Sequence, residues 1–362
     1  MSALKEWLNG AVAEQYADGL AEIESTFERP KFLDLIIPRL EPLELKERVA
    51  LFAEAMHHTL PAADYEAAVA VLLSLITRLD VRELALWPIP HYVEAYGLEH
   101  PDISLPALKQ ITPHMSAEFA IRPFIVRYPE QTMAVIHQWA EDENEHVRRL
   151  ASEGTRPRLP WGSRLYDFMK DPQPTLAILE KLKDDPSLYV RRSVANHLND
   201  IGKDHPAVLA ETAARWLQEA SEERQWLVRH ALRSLFKAGH PEALRLMGFE
   251  RPQVTLTALT ITPEVIEMGE TLTFGCTLHN ELAEPQALMI DYVIHFVKAN
   301  GQTRPKVFKL TQRTLAGDET ITIEKKHTIK PITTRTYYAG THQLEIQVNG
   351  QIVGGVPFEL QL

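Results

Sequence analysis

The sequence predicts a mostly α protein: a HEAT-like α-solenoid followed by an all-β immunoglobulin-like sandwich. Two observations carry this. First, three segments are versions of one another: His146-Val147-Arg148-Arg149-Leu150-Ala151, Tyr189-Val190-Arg191-Arg192-Ser193-Val194 and Leu227-Val228-Arg229-His230-Ala231-Leu232. Their first valines stand 43 and then 38 positions apart (147 to 190, 190 to 228). A helix pair repeating at roughly 40 residues is the mark of HEAT-like arrays, which stack into a curved solenoid. Second, the character of the chain changes at Gly248-Phe249-Glu250-Arg251-Pro252. Beyond it the residues become β-branched and alternate with period two.

Taken in order, residues 1–250 read as helix almost throughout and form the first expected domain. Val49, Phe52, Ala53 and Met56 have helical apolar spacing. Ala67 to Leu79 reads as a helix buried on most sides. Frequent prolines point to short helices rather than long bundle helices. Each repeat opens on an acidic or polar start: Asp142-Glu143-Asn144, Asp184-Asp185-Pro186-Ser187 and Ser221-Glu222-Glu223. Amphipathic stretches such as Thr132–Ala140 and Thr175–Leu182 supply partner helices. Residues 251–362 form the second expected domain. Strands are expected at Val254–Thr262, Thr271–Leu278, Leu288–Phe296, Lys306–Leu310, Thr320–Glu324 and Gln343–Val348. Asn349-Gly350 then makes a hairpin turn into Gln351-Ile352-Val353. About seven short strands suit an immunoglobulin-like sandwich without its disulfide.

The chain has 362 residues, 45% hydrophobic and 24% charged, with one cysteine. No apolar run reaches the ~20 residues of a membrane-spanning helix, and the first residues carry no apolar signal core. A cytoplasmic protein, monomeric and without membrane contact, is expected. Cys276 reads as an inert core residue. His57-His58 and the other histidines match no metal spacing and read as surface residues. There is no Gly-rich phosphate loop and no G-x-S-x-G, so neither a cofactor nor a metal is expected. The net charge of −11 argues against a polyanionic partner. The charge is unevenly spread, however. Residues 251–362 hold 10 Lys+Arg and 11 Asp+Glu, which leaves 28 and 38 for residues 1–250. Within the repeats the cations gather at Arg148, Arg149, Arg156, Arg158, Arg191, Arg192 and Lys203, and local field governs a binding surface. The plainer reading is that they pair with neighbouring carboxylates on helix surfaces.

Residues four apart share a helix face. Arg149 therefore faces Glu153, Arg192 faces Asn196, Asn196 faces Asp200, and Glu118 faces Arg122. Regular stacking should then bring Glu118, Glu153, Asn196 and Asp200 near one another, unless these are ordinary surface pairs. In Ser152-Glu153-Gly154-Thr155-Arg156-Pro157-Arg158-Leu159-Pro160-Trp161-Gly162 a helix is expected to end at Gly154. Prolines should then hold an extended loop that presents two arginines and a tryptophan. Arginine suits phosphate forks and tryptophan offers a face to a base or a cation. A tryptophan packed into the solenoid edge is the competing reading.

That loop, with YVRRSVANHLNDIGKDHP, WLVRHALRSLFKAGHPEAL and the appended sandwich, resembles the HEAT-repeat alkylpurine DNA glycosylases of the AlkC type over essentially the whole chain. The resemblance implies excision of N3-alkylated bases, chiefly 3-methyladenine and 3-methylcytosine, from duplex DNA gripped by its backbone, with limited or no base flipping. It implies Glu118, Glu153, Asp200 and Trp161 around the lesion, and Arg148, Arg149, Arg156, Arg158, Arg191, Arg192 and Lys203 toward phosphates, with Asn196 beside them. The setting of Glu118 departs from the V-R-R pattern. Carboxylates suit this chemistry because loss of a cationic base leaves an oxocarbenium-like sugar. Glu153 is expected to matter most, then Asp200, then Glu118. No lysine suggests a Schiff base, so a monofunctional enzyme is expected. A non-catalytic HEAT scaffold and a damage sensor that binds without cutting are the competing functions.

Overall fold

The structure, a computed structural model, describes residues 4–60, 64–81, 83–332 and 335–362. From Leu4 to Leu246 the described chain is a succession of helices, none longer than the 15 residues of Leu45–Thr59. Prolines mainly open these helices: Pro88–Tyr96, Pro101–Ile111, Pro129–Trp139 and Pro206–Trp216 all begin on one. The missing N–H is one that a first turn leaves unpaired anyway. The helix expected over 67–79 spans Tyr65–Ile76 and buries Ala68, Val69, Val71, Leu72, Leu75 and Ile76.

The repeated segments are the helices Glu145–Glu153, Leu188–Ile201 and Glu222–Ala231, and the middle one packs on both others. Val147, Val190 and Val228 are all buried. The polar starts are N-caps. The Asn144 side chain accepts from His146 N, that of Ser187 from Tyr189 N, and Ser221 Oγ from Arg224 N. The first repeat arginine closes the loop behind its helix: Arg148 Nη1 donates to the carbonyls of Asp142 and Glu143 (2.9 and 2.8 Å). Arg191 does the same to Asp185 and Pro186 (2.6 and 2.9 Å). Arg148 also reaches the next repeat and grips Asp185 through Nε and Nη2 (2.6 and 3.0 Å).

By packing, Met1–Asp204 with Ala220–Ala231 form one compact unit, and His205–Glu219 with Leu232–Leu362 form another. The second unit holds a sandwich of eight strands: β1 (Val254–Thr262), β2 (Val265–Glu267), β3 (Thr271–Asn280), β4 (Gln286–Val297), β5 (Thr303–Leu315), β6 (Thr320–Thr328), β7 (Gly340–Val348) and β8 (Gln351–Gln361). One sheet has the order β1-β3-β6 and the other β2-β8-β7-β4-β5. The short β2, not foreseen from the sequence, runs parallel to the end of β8. Phe274, Cys276, Leu278, Ile290, Ile294, Leu344 and Ile346 are among the residues that fill the space between the sheets. Burial raises the Cys276 thiol to about 11, which fits an inert core residue.

Asn349 and Gly350, both at positive φ (43° and 79°), form the β7–β8 turn. Asn349 does more than turn the chain. Its Nδ2 donates to the carbonyls of Glu250 and Ala287, and its Oδ1 accepts from Met289 N (2.8, 3.1 and 2.7 Å). Gly350 lies so close to Gly239 that a Cβ on it would meet Gly239 Cα at 2.3 Å. Close backbone approach requires glycine here.

Asp291 sits buried at a bulge of β4, and burial raises its carboxyl to about 6, with Lys309 and Lys237 opposing. The folded state therefore holds this proton more tightly than the unfolded chain. Stability falls as pH rises from about 4 to about 6 and stays lower above. Asp291→Asn is expected to raise stability by about 2–3 kcal/mol at pH 8 and by little at pH 4. Urea denaturation at both pH values checks this, and an equal effect at both would contradict the burial account.

Candidate active site

Four short pieces of chain supply the site. Glu153 ends the helix Glu145–Glu153, and Asp200 is near the end of Leu188–Ile201. Arg156 follows the helix end at Gly154. Glu118 lies in the turn before the helix Arg122–Arg127, not within a helix as its spacing to Arg122 suggested.

Arg156 is the junction. Its Nη1 donates to Glu153 Oε1 (2.6 Å), its Nε to Asp200 Oδ2 (2.8 Å), and its Nη2 is 2.7 Å from the same oxygen. All three residues are buried. Asp200 Oδ1 accepts from Lys203 Nζ (2.7 Å), and Glu153 Oε2 accepts from Ser193 Oγ (2.6 Å). On the other side, Arg149 Nη2 is 3.5 Å from Glu153 Oε1, and its Nη1 donates to Glu118 Oε2 and Ser116 Oγ. The result is a chain of alternating charge: Glu118, Arg149, Glu153, Arg156, Asp200, Lys203. Burial disfavours the charge on Arg149, but Glu153 and Glu118 outweigh it and raise its pKa. The same contest on Arg156 is won by Glu153 and Asp200. The Tyr189 ring covers the Arg149 guanidinium at 5.0 Å.

The expected extended loop is instead a run of turns. Gly162 N donates to the carbonyl of Leu159 (3.2 Å) and Leu165 N to that of Pro157 (3.2 Å). Arg122 holds both ends. Rather than facing Glu118, it donates from Nη1 to the Gly154 carbonyl (2.8 Å) and from Nε and Nη2 to the Ser163 carbonyl (2.8 Å from Nε). Arg122 is completely buried. Burial first, then nearby Arg156, lowers its pKa to about 10. At the tip, Trp161 adopts a left-handed φ of 66° and stays 58% exposed. A bulky residue in that region is strained, and strain of this kind collects at functional sites. Lys46 Nζ holds the Trp161 carbonyl (2.5 Å). The Trp161 ring lies parallel to Trp87, centroids 6.4 Å apart, and Trp87 stacks on Phe119.

Several cations expected to meet phosphates are otherwise engaged. Arg156 is buried between carboxylates. Arg148 is bidentate to Asp185, and Arg158 is bidentate to Asp204 (2.8 and 2.6 Å). Arg191 closes its own loop. Arg192 is exposed, and Lys203 is 45% exposed while paired to Asp200. Asn196 Oδ1 meets His230 Nε2 (3.2 Å) in the next repeat helix. His57 stacks face to face on Tyr96, 3.8 Å apart, rather than lying free on the surface. Among the described residues, no group of three or more His, Cys, Asp or Glu side chains is arranged to hold a metal ion.

Sequence reasoning missed Ser193 and His197. Ser193 supports Glu153, and His197 Nδ1 lies 2.9 Å from the Ser152 carbonyl. Burial lowers the His197 pKa to about 3, which keeps the ring neutral. A signal existed. Counted from the repeat valines, Ser193 stands where the other repeats have Leu150 and Ala231, and His197 where they have Gly154 and Leu235.

Residues 112–235 match the family described as DNA alkylation repair enzyme, and residues 255–362 match the YhaZ C-terminal Ig-like domain. The chain is 40% identical to the YhaZ protein of Bacillus subtilis (strain 168), over 99% of this chain and 100% of that protein. It superimposes on the Pseudomonas fluorescens alkylpurine DNA glycosylase AlkC, solved bound to DNA containing an abasic site analog. The TM-score is 0.95 and the identity 41%, and each chain is covered completely. The chain belongs to the AlkC type of alkylpurine DNA glycosylases.

In this AlkC-type chain the buried arginines are structural as well as electrostatic. Arg156→Met would remove the buried cation that Glu153 and Asp200 share. The expected loss of stability is about 3–5 kcal/mol, measured by chemical denaturation. A loss below about 1 kcal/mol, the worth of a surface pair, would show that water replaces the guanidinium readily.

Proposed function

We propose that this chain hydrolyses the N-glycosidic bond of N3-alkylated, cationic bases in duplex DNA, chiefly 3-methyladenine and 3-methylcytosine, with limited or no flipping of the base. The observation that carries this reading is the fixed run of carboxylates Glu118, Glu153 and Asp200, with the strained, exposed ring of Trp161 on the loop that follows Glu153. The AlkC likeness supports the same reading, since its relative was solved on DNA with an abasic site analog.

The chemistry follows from charge. The C1′–N bond breaks and its electron pair leaves with the base, which departs neutral, so no acid is required. The sugar becomes oxocarbenium-like, then takes a water at C1′ and loses a proton. Fixed negative charge nearby stabilises that intermediate. The carboxylates divide the work. Both oxygens of Glu153 and both of Asp200 accept hydrogen bonds within the protein. Among the described residues Glu118 engages only Oε2, through Ser116 and Arg149, which leaves Oε1 for a ligand. This accounting assigns the attacking water to Glu118 and field stabilisation to Glu153 and Asp200, a different order from the one expected of the sequence. Lys203 Nζ is bonded to Asp200, which supports a monofunctional enzyme without a Schiff base. The cations of the sandwich support a second contact with DNA. A cleft of about 460 Å³ there is lined by Lys298, Arg304, Lys306 and Arg335, and no carboxylate lies among its described lining.

Glu118→Gln is expected to slow single-turnover release of 3-methylcytosine by about 10²–10³ with DNA affinity nearly unchanged. Release at the unmodified rate would remove Glu118 from the mechanism. DNA binding with no base release by the unmodified chain, without added metal or cofactor, would favour the scaffold or sensor reading.

DNA affinity is expected to fall steeply with salt despite the net charge. Arg192→Ala should flatten the slope of log K against log salt by about one, and Arg148→Ala should leave it unchanged while lowering stability. Equal slopes for the two variants would refute this division of roles.

A further inference from the structure

A pocket that shares Trp161 with the site, but none of its carboxylates, has no part in the hydrolysis just described. It has a volume of about 220 Å³, room for one nucleobase, and its lining includes Trp87, Phe119, Trp161, His91, Glu94 and Lys46. Its position ties it to the reacting centre from two sides. Phe119 follows Glu118 in the chain, and Trp161 is the ring offered to the lesion. Three of its walls are aromatic and carry flat faces: Phe119 stacks on Trp87, and Trp87 lies parallel to Trp161. Flat aromatic faces hold nucleobases of any sequence by stacking, worth about 1–3 kcal/mol per base.

The remaining wall is polar and rich in acceptors. His91 Nδ1 lies 2.9 Å from Glu94 Oε2, and Glu94 Oε1 has no partner among the described residues. Both side chains are about a quarter exposed (28% and 27%), so the pair faces the opening rather than the core. A carboxylate oxygen can only accept, so it selects a ligand edge that donates. The alkylated bases proposed as substrates share one such edge, the exocyclic amino group of adenine and cytosine. Lys46, the cation of the lining, has its ammonium committed to the Trp161 carbonyl and so fixes the wall.

We infer that this pocket is a product site: it receives the alkylated base once the C1′–N bond has broken, stacks it against Trp87 and Trp161, and holds its amino group on Glu94. The inference rests on the glycosylase reading. It adds a destination for the leaving base, away from the abasic sugar and from Glu118.

The test titrates free 3-methyladenine into the full, DNA-free chain and follows tryptophan fluorescence. Saturable quenching is expected. Glu94→Gln should weaken binding about tenfold, which corresponds to about 1.4 kcal/mol. It should not change binding of 3-methylhypoxanthine, which has an oxygen in place of the amino group. In single turnover on alkylated DNA, added 3-methyladenine should inhibit the unmodified chain, and Glu94→Gln should resist that inhibition. Absence of saturable quenching up to about 10 mM, or equal affinity of Glu94→Gln for 3-methyladenine, overturns the proposal. A chain that binds the free base but releases none from DNA would overturn the glycosylase reading and leave the pocket standing.

Discussion

Everything near the site depends on one buried guanidinium. Arg156 joins Glu153 from one repeat helix to Asp200 from the next, with all three side chains out of water. Burying such charges is costly, and their attraction offsets the cost only when geometry and hydrogen bonds are nearly complete. Here they are: Ser193, Lys203 and Arg149 occupy the remaining carboxylate positions. The arrangement also works in reverse. Because the carboxylates can be paired only at one spacing, they fix the register of the two repeat helices. For the hydrolysis proposed, such carboxylates need no rearrangement when positive charge develops on the sugar.

Much of this was legible in the sequence, for physical reasons that can be named. Hydrophobic periodicity and the repeated V-R dipeptide gave the repeat helices, because burial of Val147, Val190 and Val228 is a local property of each helix face. The strands from Val254 onward were readable because alternation survives in a sandwich with one wet face. The AlkC resemblance drew Glu118, Glu153, Asp200 and Trp161 into one site. Partners were not legible. A cation at a repeated position reads the same whether it meets phosphate or the next repeat. Arg148 meets Asp185, which is 37 residues away in sequence and invisible to spacing rules confined to one helix. The loop after Gly154 was misread for a related reason. Its prolines signalled extension, but Arg122, 32 residues upstream of that glycine, folds it into turns by gathering its carbonyls.

The aromatic residues follow the same rule. Trp161 stood out because the loop around it is rich in proline and arginine. Trp87 and Phe119 did not, since an isolated aromatic on a helical stretch usually belongs to the core. Trp87 is indeed 5% exposed, yet its ring lies parallel to Trp161. A ring with two faces can be packed on one and still offer the other to a neighbour.

The change from helix to strand and the border between compact units fall at different places. Helix gives way to strand between Leu246 and Val254, whereas the chain leaves the first unit at Asp204, returns at Ala220 and leaves again after Ala231. The helices Arg233–Lys237 and Pro241–Leu246 belong with the sandwich, where Gly239 is pressed against Gly350 and Asn349 anchors Glu250. No single scission of the backbone can therefore release either unit whole. Shuffling of the sandwich between proteins by a cut at the visible change of secondary structure would carry away strands without the helical seat they rest on. Inheritance of the two halves as one piece follows from the way the chain is threaded.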